Sequence, residues 1–158
     1  MAKKPTISIV IPAYNEAAVI EQCLRSCVNQ RDLADEIIVV DNNSTDETAA
    51  IVTRLQKAHK TANIRLVHEK EQGMVPARNR GFAEAKSAIF GRIDADSLLE
   101  EGWVESVRNT FADPEVMAAT GPVVYHDMPM KKIGFSMDRR IRQALHNSAK
   151  DHTFLFGS

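Results

Sequence analysis

Apolar and polar positions along this chain switch between two periods. Short β-branched runs, "TISIVI" (6–11), "EIIVV" (36–40), "NIRLVH" (63–68) and "AIFGRI" (88–93), have the length and composition of strands. The second is apolar on both faces, as strands inside a parallel sheet usually are. Between them lie segments with helical spacing: "EAAVIEQCLRSCVNQ" (16–30), "STDETAAIVTRLQKAHK" (44–60), "VPARNRGFAEAK" (75–86) and "EEGWVESVRNTFAD" (100–113). "EVMAATGPVVYH" (115–126) begins as a fifth strand. Ser44 with Glu47 has the spacing of a capping box, and Ile51, Val52, Leu55 and Ala58 form the stripe behind it. Pro12 closes the first strand, and Pro76 falls near a first helical turn, where a missing N–H costs little. Cys23 and Cys27 share an apolar helix face with Val19, Ile20, Leu24 and Val28. Phe82 reads as core, as do Trp103, Val104, Val107 and Phe111.

Strand and helix alternating in this order imply right-handed crossovers and a mostly parallel α/β sheet with helices on both faces. Ligands of such sheets bind beyond the carboxyl ends of the strands. The polar loops sit at those ends: "PAYNE", "DNNSTD", "EKEQG" and "DADS" follow the four strands in turn. Four such loops are expected to converge on one crevice.

Composition narrows the picture. The chain has 158 residues, 44% hydrophobic and 26% charged, with a formal net charge of −1. That is enough chain for one domain with a real core, taken here as 1–158, and it offers no electrostatic case for nucleic acid. The run Ile7–Ile11 is too short for a signal peptide core, and no run approaches the roughly 18 apolar residues of a membrane span. The two cysteines read as reduced core thiols, which fits the cytoplasm. The five histidines show no ligand spacing. A dinucleotide G-x-G-x-x-G, a P-loop and a G-x-S-x-G elbow are all missing.

The candidate chemistry lies in the loops. Asp94 and Asp96 end the fourth strand with two like charges, and an extended backbone would place both on one side. Two such carboxylates facing a diphosphate suit a hard divalent cation; the plainer reading is a solvated turn or a helix cap. Asp41 ends the second strand and can accept from a nucleobase N–H, whereas Ser44 and Asp46 read as caps, a role that does not need Asp41. Tyr14 can stack on a base or simply cover the sheet edge. Gly73 suits a tight loop, and Arg78 on the helix that follows can reach a base or phosphate.

Together, and in this order, "IVIPAYNE", "IIVVDNNSTDET", "GMVPARNRGF" and "IDADSLLEEGWVE" resemble the family 2 glycosyltransferases of GT-A fold, over roughly residues 6–125. The resemblance implies an inverting transfer of sugar from a nucleotide diphosphate sugar, most often a UDP-sugar, to a saccharide, lipid or protein acceptor. It implies a nucleotide-sugar site at Pro12, Ala13, Tyr14, Glu16, Asp41, Arg78, Asp94, Ala95 and Asp96. Asp94 then lies near the ribose, and Asp96 holds the Mg²⁺ or Mn²⁺ that bridges the diphosphate. Many relatives read Asp-Asp where this chain reads Asp41-Asn42. The family's general base lies in a later acidic motif, so the base is expected beyond Ser158, and the chain resembles a donor-binding half of a longer enzyme. A nucleotide-sugar-binding module without turnover is the alternative. A nucleotidyltransferase would need a Gly-rich basic loop that "PAYNE" is not.

Residues 126–158 then read as the start of an acceptor-side region. There Ile133, Met137, Ile141 and Leu145 recur at helical spacing, and Lys131, Lys132, Arg139, Arg140, Arg142 and Lys150 outnumber the acids. Residues 131–150 read either as an interfacial helix touching anionic membrane lipid or, more plainly, as a packed helix with a solvated basic face.

Overall fold

A computed structural model describes residues 4–121. Strands β1 (Ile7–Ala13), β2 (Glu36–Asp41), β3 (Ile64–His68) and β4 (Ile89–Arg92) alternate with helices α1 (Ile20–Val28), α2 (Thr48–Ala58) and α3 (Met74–Glu84), and α4 (Trp103–Thr110) follows. The strands form a parallel sheet in the order β3-β2-β1-β4. The chain walks outward from β1 to β3, then returns through α3 to β4 on the other side of β1. The direction reverses between β1 and β4, so a crevice opens beyond their carboxyl ends.

The pleat sorts the core into two layers. Ile7, Ile9, Ile11, Ile37 and Val39 pack with Ile20, Cys23, Leu24, Val52, Leu55 and Val104, under α1, α2 and α4. Ile38, Val40 and Val67 pack with Ala77 of α3. Both cysteines are buried and free within the first layer.

Pro12 does not close β1; it lies inside the ladder, opposite Val40. The carbonyls of Thr6 and Val10 accept from Ile89 N–H and from Ile93 N–H just past β4, so the missing N–H of Pro12 faces the β4 side. The β1–β4 register ends at Val10 with Arg92, and no ladder bond is lost. Close helix–sheet contact depends on Gly81. A Cβ there would overlap Val10 Cγ1 and stand 3.1 Å from Val40 Cγ2.

A buried polar knot closes the α3 face. Glu36 is 4% exposed. Its carboxylate accepts from Ser8 Oγ at 2.7 Å, Lys86 N–H at 2.6 Å and Arg65 Nη1 at 3.1 Å, while Arg65 Nη2 reaches Glu84 at 2.6 Å. Burial raises the proton affinity of Glu36, but these three donors outweigh it and hold the carboxyl below its ordinary value of 4.5.

Three further sequence expectations are corrected. The capping box does not form, because Ser44 Oγ accepts the Asn15 N–H at 3.0 Å and α2 begins four residues later. Phe82 is not core: it is half-buried and stacks on Phe90 of β4, 51% exposed, with ring centroids 6.1 Å apart. The strand expected from residue 115 is absent over 115–121, where Met117 is 93% exposed; its remainder, like the helix expected over 131–150, lies outside the described residues. No described helix is long and apolar enough to cross a membrane.

Gly81→Ala is expected to cost about 1–3 kcal/mol in urea unfolding through overpacking of α3 on Val10 and Val40. The lowered Glu36 pKa stabilises the fold above pH 4.5, and that contribution fades as the pH falls through the folded-state value. Unfolding of Glu36→Gln measured across this acid range is therefore expected to show a shallower loss of stability than the parent chain.

Candidate functional site

The loops at the carboxyl ends of β1 and β2 carry backbone N–H groups that no strand pairs, and side chains of the opposite loop take them. Asn15 N–H donates to Ser44 Oγ at 3.0 Å, Glu16 N–H to Thr48 Oγ1 at 2.8 Å and Ala17 N–H to Asp46 Oδ2 at 3.0 Å. In return Thr45 N–H donates to Asn15 Oδ1 at 2.8 Å. Asp46 Oδ1 takes the first N–H of α2, from Thr48, at 3.0 Å. Asn15 and Asn43 sit at φ 55° and 63°, the left-handed region that asparagine tolerates. α1 starts at Ile20 rather than near Glu16, and the N–H groups of residues 15–17 point across to the next loop.

β2 is tied to the third loop in the same manner. Asn42 donates through Nδ2 to the carbonyls of Glu69 (3.0 Å) and Glu71 (2.7 Å), and Asn43 Nδ2 donates to Lys70 O at 2.9 Å. The fourth loop rests on α1. Ser97 N–H closes a turn onto Asp94 O at 3.0 Å, Cys23 Sγ lies 3.8 Å from that carbonyl, and Leu99 N–H donates to Ser26 Oγ at 3.0 Å. Asp94 to Ser97 is thus a turn, which corrects the extended geometry expected for Asp94 and Asp96.

The expected site residues fall as follows. Ala13, the last residue of β1, is buried opposite Asp41, and its carbonyl accepts the Asn42 N–H at 2.9 Å. Pro12 is half-buried, Tyr14 is 50% exposed, and Ala95 is buried inside the turn. Asp41 is 5% exposed. It accepts the Ser44 N–H at 3.3 Å through Oδ1 and pairs through Oδ2 with His68 Nδ1 at 3.1 Å. Asp41 therefore has a local structural role that the sequence did not disclose. His68 also lines an open groove of about 550 Å³ with Thr53, Arg54, Lys57 and Leu66, along the β3 edge.

On the switch-point side, Asp94 stands between two guanidinium groups, 3.8 Å from Arg78 Nη2 and 3.9 Å from Arg92 Nη1. Arg78 Nε is buried without a hydrogen-bond partner. Asp96 is exposed. Glu16, from the β1 loop, is raised above its ordinary value of 4.5, first by burial and then by the charges of Asp96, Asp46 and Asp94. Carboxylates from three loops therefore share one anionic patch with Arg78 and Arg92 beside it. The donor set is hard oxygen, which suits Mg²⁺ or Mn²⁺. Among the described residues no three His, Cys, Asp or Glu side chains are grouped to cage an ion. An ion held through Asp96 would draw its other ligands from a diphosphate and water, as Mg²⁺ typically does.

Three comparisons bear on this geometry. The family model described as Glycosyl transferase family 2 matches residues 8–157. The glycosyltransferase AglE of Haloferax volcanii is 32% identical over 123 residues, covering 77% of this chain and 40% of that protein. The mannosyltransferase PcManGT of Pyrobaculum calidifontis, solved with GDP-Man and Mn²⁺, superposes with a TM-score of 0.60 at 32% identity, over 77% of this chain and 34% of its own. The glucosyl-3-phosphoglycerate synthase of Mycobacterium tuberculosis, solved with Mn²⁺, UDP and glucosyl-3-phosphoglycerate, does so with a TM-score of 0.57 at 30% identity, over 70% and 41%. The chain thus spans well under half the length of these proteins.

Because the charge of Asp96 is one cause of the raised Glu16 value, Asp96→Asn is expected to lower the Glu16 midpoint toward 4.5 in a carboxyl-carbon NMR titration. An unmoved midpoint would separate the two side chains electrostatically.

Proposed function

The chain belongs to glycosyl transferase family 2 and has its GT-A type α/β fold, and on that premise we propose that it forms the donor-binding part of a metal-dependent, inverting glycosyltransferase that uses a UDP-sugar. The observation that carries the reading is the shared electrostatics of Glu16, Asp94 and Asp96 at the β1/β4 switch point, with Arg78 alongside. Residues some 80 positions apart in sequence meet where a parallel sheet binds its ligand. The Mn²⁺ complexes of the two solved relatives, one with GDP-Man and one with UDP, support a nucleotide diphosphate and a divalent ion as ligands.

In this reading Tyr14 lies against the base. The Asp41 carboxylate, fixed by Ser44 N–H and His68, accepts from a base N–H through a lone pair those bonds leave free. Asp94 takes a ribose hydroxyl, and Arg78, half-buried with its Nε unpartnered, offers its guanidinium to the diphosphate. Asp96 holds the cation, whose chemistry is to neutralise charge on the departing diphosphate. Ala13, Pro12 and Ala95 shape the floor with backbone and small side chains. An acceptor hydroxyl attacking the anomeric carbon from the opposite face inverts it, and a carboxylate base there contributes roughly 10²–10⁴-fold. We place that base, the acceptor site and any contact of 131–150 with a lipid-bearing acceptor in or beyond the region that begins near residue 126.

A thermal-shift panel of UDP, GDP and TDP, each with Mn²⁺, tests the reading. UDP with Mn²⁺ at 100 times its Kd is expected to add about 2.7 kcal/mol of stability. Asp96→Ala is expected to erase the metal-dependent part and leave a smaller nucleotide-only shift. Unchanged melting with all three nucleotides would overturn the proposal.

A further inference from the structure

We infer that Asn42 is a positioning residue for the donor site, and that in this chain, unlike the relatives that carry aspartate at this position, the loop it holds needs the two donors of the carboxamide. The inference rests on the functional reading above and adds to it how the Arg78 side of the cleft is set.

Asn42 directly follows β2 and is 2% exposed, and its side-chain donors and acceptor are all taken up within the protein. Every polar atom of it is committed. Both Nδ2 protons go to backbone carbonyls, Glu69 O at 3.0 Å and Glu71 O at 2.7 Å. Oδ1 accepts Gly73 N–H at 2.7 Å and faces Gln72 Nε2 at 3.4 Å. Its own N–H is held by Ala13 O at 2.9 Å. The side chain thereby fixes the backbone of a loop about thirty residues away, while the backbone N–H of the same residue ties it to the end of β1.

The loop leads directly to the cleft. Gly73, at φ 146°, precedes α3, and its carbonyl accepts the Ala77 N–H at 3.2 Å in the first helical turn. Arg78 is the next residue, with Nη2 3.8 Å from Asp94. Three backbone bonds from Asn42 thus set the entry of the helix that aims this guanidinium. Aspartate has nearly the same shape but no donor when ionised, so it would face two carbonyl oxygens with negative charge. Gln72, exposed and reaching Asn42 only at 3.4 Å, cannot supply the missing donors.

The experiment compares the 158-residue chain with Asn42→Asp and Asn42→Ser, the latter keeping one donor should the former fold poorly. Hydrogen exchange is read by peptide over 69–78, and UDP–Mn²⁺ affinity by calorimetry. Asn42→Asp is expected to exchange faster over 69–78 while α1 and β1 keep their protection, and to bind UDP–Mn²⁺ roughly tenfold more weakly. Asn42→Ser is expected to fall between it and the parent. In a double-mutant cycle, Arg78→Ala combined with Asn42→Asp is expected to cost less than the sum of the two, since both act through one guanidinium. Additive losses, or parent-like exchange over 69–78 in both variants, would overturn the inference. Should the parent chain bind none of the nucleotides, the functional reading fails, and the exchange result alone decides whether Asn42 orders the loop.

Discussion

A parallel sheet ends in a row of backbone N–H and C=O groups that no further strand can pair, and in this chain neighbouring loops satisfy one another. Asn15, Asn42, Asn43, Ser44, Asp46 and Thr48 each bond backbone outside their own strand or helix. The bonds of Asn42 and Thr48 are partly buried, and leaving such groups unpaired costs about 1–3 kcal/mol apiece, so these two side chains are a requirement of the fold before they are anything else. The same bonds hold the first three loops in one arrangement. A ligand entering such a cleft meets groups that have already lost their freedom, which reduces the ordering cost of binding.

That arrangement concentrates charge. The clasp brings Asp46 near Glu16, and the Asp94–Ser97 turn brings Asp94 and Asp96 to the same place from the other side of the switch point. Asp94 is partly balanced by Arg78 and Arg92, whereas the Glu16 carboxyl, partly desolvated and facing three like charges, is held more readily as the acid. An anionic patch beside two guanidinium groups is an electrostatic match for a cation–diphosphate pair, with the cation on one side and phosphate oxygens on the other.

Much of this was legible in the residues. Strand-length β-branched runs separated by helical periods carry the parallel sheet, and polar loops after each run mark one end of it. What the residues did not disclose are choices settled by distant partners. Ser44 and Glu47 satisfy a local capping pattern, yet the orphan Asn15 N–H competes for the Ser44 hydroxyl and takes it. Asp94-x-Asp96 follows a strand and invites an extended reading, but the closing Ser97 N–H makes a turn of it. Gly81 is one more helix residue in sequence; only the approach of α3 to Val10 and Val40 shows why a side chain is excluded. Phe82 has the periodicity of a core residue and instead stacks on Phe90, because α3 covers β1 and β2 and leaves that face of β4 open.

The sparse carboxylate set has a thermodynamic consequence for the proposed function. The described side chains do not group into a cage of three acidic or imidazole ligands, so Asp96 alone gives an ion little to hold on to. A hard ion such as Mg²⁺ keeps several waters and gains affinity chiefly from phosphate oxygens. Under that proposal, metal and nucleotide bind as a coupled pair, each raising the affinity of the other by the same factor. The coupling would have a structural route through Arg78, whose helix begins at the loop held by Asn42 and whose guanidinium would face the phosphate oxygens. Under the same proposal a diphosphate would be favoured over a single phosphate, because it could meet both an ion at Asp96 and the guanidinium of Arg78.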